Sequence, residues 1–202
     1  MKILIAGGGG FIGSFLSAQL SGHLEIHTID KTSSNSQSSF QVDLGDPEST
    51  NQFFVEHLVR YDVLIFLVAL AHKKGKGKDI SEFQKANYES LVNCLQAMVL
   101  SGRLPKKLIF SSTISVYGER YDQEQYDETL NPAPTSPYAI TKLRAESYLL
   151  EKYQDRSWIL RFAPVYSPEF QLNLERRTQI LSRYYMIGTG DKRLSLCNVS
   201  NI

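Results

Sequence analysis

The sequence predicts an α/β protein with a doubly wound parallel sheet, followed by the start of a smaller C-terminal part. Short, unbroken apolar runs, the first at residues 2–6, alternate with longer stretches of helical periodicity. Strands of that kind are typical of a parallel sheet that is covered on both faces. A cluster of glycines within residues 7–13 stands at the first change from strand to helix. The 202 residues suffice for one domain with part of a second.

The elements follow one another in a regular rhythm. The first strand is followed by the glycines and by a helix whose apolar residues recur at helical spacing from Phe11 to Leu20. Further strands are predicted at residues 24–29, 40–42, 62–69, 107–112 and 158–162. Further helices are predicted at residues 47–59, 80–101 and 137–154, and a last strand at 194–199. Ser136 is the predicted N-cap of the helix at 137–154, with Pro137 at its first position.

Composition and charge exclude several classes of protein. With 42% hydrophobic and 21% charged residues, the chain has the composition of an ordinary soluble globular protein. A net charge of +1 predicts no nucleic-acid partner. The longest apolar run, residues 63–71, is too short for a membrane helix, and Met1 leads directly into a strand with no signal peptide. Cys94 and Cys197 lie far apart, without metal-ligand spacing. We therefore expect a cytoplasmic protein with no metal site, no disulfide and no membrane contact.

The glycine cluster fits a dinucleotide-binding loop in two overlapping ways, Gly8-x-Gly10-x-x-Gly13 and Gly7-x-x-Gly10-x-x-Gly13. Glycines allow the backbone to approach a pyrophosphate, whose charge is then met by the N-terminus of the following helix. Asp30 follows the second strand, where a carboxylate can accept hydrogen bonds from the adenosine ribose and repel a 2′-phosphate. This favours NAD over NADP, although the neighbouring Lys31 weakens that preference.

Three side chains form a candidate reaction site. Tyr138 and Lys142 are four residues apart on a predicted helix and share one face, so an ammonium there would favour the phenolate. A phenol of pKa about 10 needs such help to act as a base near neutral pH. Thr113 comes at the end of a predicted strand, the edge at which open α/β sheets bind ligands.

These motifs resemble the extended short-chain dehydrogenase/reductase family, in particular its NAD-dependent epimerase/dehydratase branch, which acts on nucleotide sugars. The resemblance covers nearly the whole chain. It rests on the loop Gly7-x-x-Gly10-x-x-Gly13, Asp30, Asp43 and Leu44, Leu70 and Ala71, Asn87, the run from Ser111 to Gly118, the pair Tyr138-x-x-x-Lys142, and the run from Leu160 to Tyr166.

The resemblance implies a Rossmann fold, a cofactor and a reaction. NAD would bind in a domain of residues 1–165, and residues 166–202 would begin the substrate-binding region. By analogy, Tyr138 exchanges a proton with a sugar hydroxyl, Lys142 binds the nicotinamide ribose and lowers the Tyr138 pKa, and Thr113 holds the reacting oxygen. The implied cofactor contacts are Gly7, Gly10, Phe11, Ile12, Gly13, Asp30, Asp43, Leu44, Ala69, Ala71, Asn87, Ser111, Tyr138, Lys142, Pro164 and Val165.

Within that family, epimerisation of a UDP- or dTDP-linked sugar is the preferred interpretation. Related dehydratases carry an acidic pair where this chain has Ile114 and Ser115, which argues against dehydration. The same segment leaves a reductase open. A truncated enzyme and a catalytically silent dinucleotide-binding domain also stay open, because relatives continue well beyond residue 202. Relatives also suggest a homodimer through the helices near Ile80 and Pro137.

Three features of the sequence bear on the substrate. Pro164 and Ser167 stand where many relatives carry Asn and Gly. The basic run of residues 72–78 is either a solvated loop or a contact for the substrate diphosphate. Arg176 and Arg177 are adjacent, so at most one of them can face the same pocket.

Overall fold

The computed structural model describes residues 1–32, 36–71, 80–118, 125–180, 183–184 and 195–202, with the backbone alone for 176–180 and 183–184. The basic run of residues 72–78 lies outside these ranges. The chain divides into two compact units, Met1–Arg161 and Phe162–Ile202. The division of roles predicted for residues 1–165 and 166–202 stays a prediction.

One parallel sheet of six strands forms the centre of the first unit. Its strands are β1 Lys2–Ala6, β2 Glu25–Asp30, β3 Ser39–Gln41, β4 Val63–Phe66, β5 Lys107–Thr113 and β6 Ser157–Phe162, the last residue of which belongs to the second unit. Their order is β3-β2-β1-β4-β5-β6. Strand pairing on both sides of β1 is parallel. This is the doubly wound order, and the predicted fold class is confirmed.

Helices cover the sheet on both faces. They are α1 Phe11–Leu20, α2 Pro47–Glu56, α3 Ile80–Gln84, α4 Ser90–Leu100 and α5 Pro137–Tyr153. A π-helical turn, Lys85–Glu89, joins α3 to α4, and a 3₁₀ turn, Ile114–Tyr117, follows β5. Ser136 caps α5 as predicted, since its hydroxyl accepts the Ala139 N–H at 3.2 Å, and Pro137 opens the helix.

Alternate residues of the central strand serve two cores. Leu4 and Ala6 pack into a cluster that α2, α4 and α5 complete, through Phe54, Leu95 and Leu149 among others. Ile3 and Ile5 join a smaller cluster on the opposite face, against which Leu16 of α1 packs. Removal of this apolar surface from water is the main stabilising contribution to the sheet and holds the carboxyl ends of its strands at one edge.

In the first unit, two elements end several residues earlier than predicted. The helix predicted at 47–59 ends at Glu56, because the His57 ring hydrogen-bonds the Tyr61 hydroxyl at 2.7 Å and stacks on Phe53. The strand predicted at 62–69 ends at Phe66, opposite Ala6, where β1 gives way to the glycine turn and offers no further partner.

The second unit is built from short elements. They are β7 Val165–Tyr166, α6 Leu172–Thr178, β8 Gln179–Ile180, β9 Arg183–Tyr184 and β10 Cys197–Asn198. The pair of β7 and β10 is parallel, and the pair of β8 and β9 is antiparallel. Of the strand predicted at 194–199, only Cys197–Asn198 is a strand, while Val199–Asn201 is a 3₁₀ turn and residue 194 lies outside the described ranges. None of the described helices is long and apolar enough to cross a membrane.

Candidate dinucleotide and reaction site

The glycine turn after β1 has a backbone that only glycine fits well. Gly7 has φ +89°, in the left-handed region that side chains disfavour, and its N–H donates to the Ile29 carbonyl at 2.8 Å. A Cβ on Gly13 would lie 2.2 Å from the Gly7 carbonyl oxygen, so α1 packs directly on the turn. Gly10 is the N-cap of α1 and places no side chain over the helix N-terminus. Phe11 and Ile12 open the helix as half-buried residues. The turn therefore fits the approach of a pyrophosphate.

Asp30 ends β2 beside this turn and holds it in place. Its Oδ2 accepts the Gly9 N–H at 3.0 Å, and its Oδ1 accepts both the N–H and the hydroxyl of Thr32 at 3.0 Å. A carboxylate offers about four acceptor positions, so capacity is left for a ribose hydroxyl. Asp30 thus fits the role predicted for it and also cross-links the glycine turn to β2.

A cavity of about 550 Å³ opens at this edge of the sheet, within the size range of cofactor sites. Six predicted contacts line it: Gly7, Gly10, Asp30, Asp43, Leu44 and Ala69. Gly45, Val68, Lys85 and Ser90, which sequence reasoning missed, line it as well. The other predicted site residues of the first unit are not among its lining residues: Phe11, Ile12, Gly13, Ala71, Asn87, Ser111, Thr113, Tyr138 and Lys142.

Asp43 and Lys31 form an exposed ion pair at the rim of the cavity. The Lys31 Nζ lies 3.5 Å from the Asp43 Oδ2, and the Asp43 Oδ1 accepts the Gly45 N–H at 3.0 Å. Asp43 therefore offsets the positive charge that Lys31 brings next to Asp30. A 2′-phosphate would have to compete with both carboxylates for this one lysine.

Asn87 acts on the backbone around the site. The Leu70 N–H donates to its Oδ1 at 2.6 Å, while its Nδ2 donates to the Leu70 carbonyl at 3.3 Å and to the Thr141 hydroxyl at 3.0 Å. Asn87 is fully buried, and both of its amide hydrogens are used in these bonds. It therefore ties the chain between Ala69 and Ala71 to α5.

Lys142 is buried under the carboxyl ends of β4 and β5. Its Nζ donates to the Ser111 carbonyl at 2.8 Å and to the Val68 carbonyl at 3.4 Å. It also stands 4.6 Å from the centre of the Phe110 ring, a cation–π distance. Ser111 thus takes part in the site through its main chain. One strand, β5, supplies both a partner of Lys142 and, at its end, Thr113.

Thr113 ends β5, and α5, which carries Tyr138, packs against this strand and against the turn that follows it. The Thr113 hydroxyl accepts the Ser115 N–H at 3.2 Å and so caps the 3₁₀ turn Ile114–Tyr117. Burial raises the pKa of Tyr138 to about 12, although a side-chain hydrogen bond from Thr113 favours the phenolate. The structure therefore brings the strand end and the helix together as the sequence predicted, with the tyrosine as a neutral phenol at neutral pH.

Burial also moves the pKa of Lys142, which falls to about 7, while the carboxylate of Glu146 opposes the shift. Near neutral pH its amine is therefore divided between the neutral and the charged form. An activating effect of its ammonium on Tyr138 is not a cause of the tyrosine's shift here. That role of Lys142 stays a prediction.

A buried ion pair lies next to these side chains, and sequence reasoning missed it. Glu146 of α5 pairs with Arg161 of β6 at 2.6 Å. The Ser112 hydroxyl donates to Glu146, and the Arg161 Nη1 donates to the Tyr117 hydroxyl at 2.7 Å. The available signal was a charged residue, Arg161, inside an otherwise apolar strand.

Pro164 and Val165 belong to the second unit. The Pro164 carbonyl accepts the Cys197 N–H at 3.1 Å, and the Val165 carbonyl accepts the Asn173 Nδ2 at 2.7 Å. Their contact with a cofactor stays a prediction. Arg176 and Arg177 lie on α6, whose last side chains are outside the description.

Solved structures share this fold. One is UDP-glucose 4-epimerase of Thermotoga maritima, in a crystal structure with UDP-glucose. It is 28% identical to this chain and superimposes with a TM-score of 0.79, and the match covers 100% of this chain and 70% of that chain. UDP-glucose 4-epimerase of Thermus thermophilus, in complex with NAD, is 31% identical, with a TM-score of 0.70, over 83% of this chain and 57% of that chain.

Sequence comparisons lead to the same group of proteins. The chain is 28% identical over 174 residues to UDP-glucose 4-epimerase of Streptococcus mutans, and this alignment covers 82% of the chain and 50% of that relative. An uncharacterized UDP-glucose epimerase of Bacillus subtilis, YtcB, is 30% identical over 83% of this chain and 58% of its own length. The chain spans about half the length of the curated relatives it matches. Residues 3–198 match the model of the NAD dependent epimerase/dehydratase family, which is nearly the whole chain, and the protein therefore belongs to that family.

Proposed function

We propose that the protein binds NAD at the carboxyl ends of its central strands and epimerises a UDP- or dTDP-linked sugar. The observation that carries the proposal is the convergence of Thr113, Tyr138 and Lys142 at the ends of β5 and α5, in the unit that also holds the cavity beside the glycine turn. A pure binding module would need the glycine turn and Asp30 but no proton-transfer group.

The cofactor's adenosine half would bind by three features of this chain. The turn at Gly7 and the N-terminus of α1 would receive the pyrophosphate. Asp30 would accept hydrogen bonds from the ribose through the acceptor capacity that its bonds to Gly9 and Thr32 leave. Leu44 and Ala69 would contact the apolar parts of the ligand from the walls of the cavity.

Tyr138 would act as the acid–base group. Its phenolate form would remove the proton of a sugar hydroxyl, and the phenol so formed would return a proton after the keto sugar has turned over in the pocket. When bound, NAD would supply reversible acceptance of a hydride from the carbon that carries this hydroxyl, so that no net redox change results. Thr113 would donate a hydrogen bond to the reacting oxygen, in place of the one that its hydroxyl donates to the Ser115 Oγ at 3.2 Å.

Lys142 would prepare Tyr138 for that task. Its amine, anchored on the carbonyls of Ser111 and Val68, has a third donor for the nicotinamide ribose. Held as an ammonium by a ribose and by Glu146, it would favour the phenolate of Tyr138 and lower that group's pKa toward the working range.

A second candidate function is dinucleotide binding without turnover. It is supported by the pKa values of the reaction residues, since a phenol near 12 and an amine near 7 are both far from an activated pair. In that case the glycine turn and the cavity would be used, and the tyrosine would not.

The deciding experiment supplies the purified chain with NAD and a panel of UDP- and dTDP-sugars and follows both bound NAD and epimer formation. The proposal predicts that Tyr138→Phe reduces kcat by roughly a hundredfold or more and leaves NAD affinity unchanged. Tyr148→Phe, on the same helix and outside the site, is the matched control. Bound NAD with no epimer from any sugar would favour the second candidate, and formation of a 4-keto-6-deoxy sugar would contradict the epimerase.

We also propose a cytoplasmic homodimer, with α4 and α5 at the interface. Both helices carry exposed apolar side chains, among them Leu100 at 80% and Leu150 at 49% exposure. Sedimentation velocity tests this, and a monomer at micromolar concentration would contradict it.

A further inference from the structure

Burying the charges of Glu146 and Arg161 costs desolvation free energy, and the pair has no part in the proton transfer proposed above. The Glu146 side chain is 1% exposed and that of Arg161 is 21% exposed. The Arg161 Nε lies 3.2 Å from both carboxylate oxygens, and its Nη2 lies 2.6 Å from Oε2. Apolar side chains can fill such a place without the desolvation that two charges require. The presence of an ion pair at this position therefore needs an explanation other than packing.

Its hydrogen bonds join the two elements that carry the reaction residues. The Ser112 hydroxyl donates to the Glu146 Oε1, and Ser112 is the residue before Thr113. The Arg161 Nη1 donates at 2.7 Å to Tyr117, the last residue of the 3₁₀ turn that Thr113 caps. The end of β5 is therefore held on both sides of Thr113.

The other side of the pair is α5. Glu146 comes one helical turn after Lys142, and Lys142 comes one turn after Tyr138. All three side chains project from the same stretch of one rigid helix. A bond that fixes Glu146 relative to β5 consequently fixes Tyr138 and Lys142 relative to Thr113.

We propose that Glu146 and Arg161 are positioning residues, whose ion pair sets the distance between Thr113 on β5 and Tyr138 and Lys142 on α5. This inference rests on the proposed function. Proton transfer needs heavy atoms within about 2.6–3.2 Å, and a displacement of about 1 Å can cost a hundredfold in rate. The pair keeps two separate elements within that tolerance.

The Glu146 carboxylate also acts on the charge of Lys142. Around the amine, β5 and the exit of β4 present the carbonyls of Ser111 and Val68 and the ring of Phe110. From its own helix the Glu146 carboxylate acts on it and favours the ammonium. Replacing this carboxylate by an amide should lower the pKa of Lys142, an effect that loss of packing alone would not produce.

The first test therefore measures the ionisation of Lys142 in the full chain, without substrate. The ¹³Cε signal of Lys142, assigned by its absence in Lys142→Met, is followed against pH. Glu146→Gln should move the titration midpoint downward. Glu151→Gln should leave it in place, because Glu151 lies on the same helix in an exposed pair with Lys152 at 2.8 Å. An unchanged midpoint in a folded Glu146→Gln protein would overturn the proposal.

The second test is kinetic and uses Arg161→Lys, which keeps the positive charge and removes the reach to Tyr117. We expect kcat for the epimerised sugar to fall roughly tenfold to a hundredfold, with KM within about threefold of the parent value. An unchanged kcat would refute the positioning role. A parent chain that turns over no sugar would contradict the proposed function instead, and the Lys142 midpoint would then decide on the pair, since that measurement needs no turnover.

Discussion

The glycine turn with Asp30 and the cluster of Thr113, Tyr138 and Lys142 lie at the same edge of one sheet and are built in opposite ways. The first region consists of backbone groups and exposed carboxylates beside an open cavity. The second consists of buried side chains, in which Lys142 is 1% exposed and is held by carbonyl oxygens. Substitutions that add side-chain atoms should therefore impair the first region, and substitutions that change a charge should impair the second. Four predictions test this difference, in order of expected size.

Gly13→Ala should have the largest effect. The new Cβ would lie 2.2 Å from the Gly7 carbonyl oxygen, so α1 and the turn must separate. Overpacking of this kind costs about 1–3 kcal/mol of stability. Displaced N–H groups would lose two or more charge-assisted hydrogen bonds to the pyrophosphate, about 3 kcal/mol in NAD binding. Calorimetric titration with NAD and chemical denaturation measure both quantities. Gly22→Ala is the control, because a Cβ there meets no atom within 4 Å. NAD affinity within a few-fold of the parent would contradict the role of this turn.

Asp30→Asn should come next. The amide keeps one acceptor and loses the charge that favours ribose hydroxyls and the Gly9 N–H. Hydrogen bonds to charged groups contribute about 1.5–3 kcal/mol, so NAD affinity should fall roughly tenfold to a hundredfold. The ratio of NAD to NADP affinity should shift toward NADP, since a repelling charge is gone. Asp155→Asn, at an exposed pair with Arg156, should change neither value.

Lys142, in the second region, should make the free energy of unfolding depend on pH. Burial lowers the pKa of Lys142 to about 7, from 10.5 in an unfolded chain. Between these values the unfolded chain binds a proton that the folded chain does not. Stability must then rise with pH, by up to about 1.4 kcal/mol per unit. The useful window is about pH 7–9, below the range in which the buried thiol of Cys94, whose pKa burial raises, begins to reduce stability.

Lys142→Met should remove that slope and raise the stability of the cofactor-free protein at pH 7. Urea denaturation at several pH values in that window measures this. An identical slope in the parent and in the variant would show that Lys142 is not the group responsible. Asp30→Asn serves as the contrasting variant, because its slope should equal that of the parent.

Lys31→Ala should have the smallest effect. The Lys31 side chain is 79% exposed, and its pair with Asp43 spans 3.5 Å. Exposed pairs contribute about 0–1 kcal/mol. NAD affinity should stay within about threefold, and any residual NADP binding should decrease, because the lysine is the cation next to Asp30. A large loss of NAD affinity would show that Lys31 contacts the cofactor directly.

The sequence predicted much of the fold, because apolar runs, helical periodicity and capping residues are local signals. All six strands of the sheet and the Ser136 cap are confirmed. Where elements end was harder to foresee, since β4 stops for want of a partner strand and α2 stops because Tyr61 holds His57. Such limits depend on residues distant in the chain.

Prediction of the site was limited for the same reason, because it too depends on residues distant in the chain. The two glycine patterns differ only in whether Gly7 or Gly8 comes first, and the fold gives a reason for both: Gly7 has a positive φ, and a Cβ on Gly8 would collide with the Thr28 side chain. The cofactor contact predicted for Asn87 stays a prediction, and its amide hydrogens bond Leu70 and Thr141. Glu146 and Arg161 are 15 residues apart on different elements, and no local pattern relates them.

The π-helical turn Lys85–Glu89 makes this part of the chain sensitive to insertion and deletion in a way that substitution tables would not reveal. A π turn accommodates one more residue than an α turn, and here it carries Asn87. Deleting one residue between α3 and α4 would restore a regular helix, yet it would rotate Asn87 by about 100° relative to the buried face of α4. The backbone hydrogen bonds of the helix would persist, but the side-chain hydrogen bonds between Asn87 and the Leu70 backbone would be lost. Along this helix, the number of residues matters more to the site than the identity of most of them.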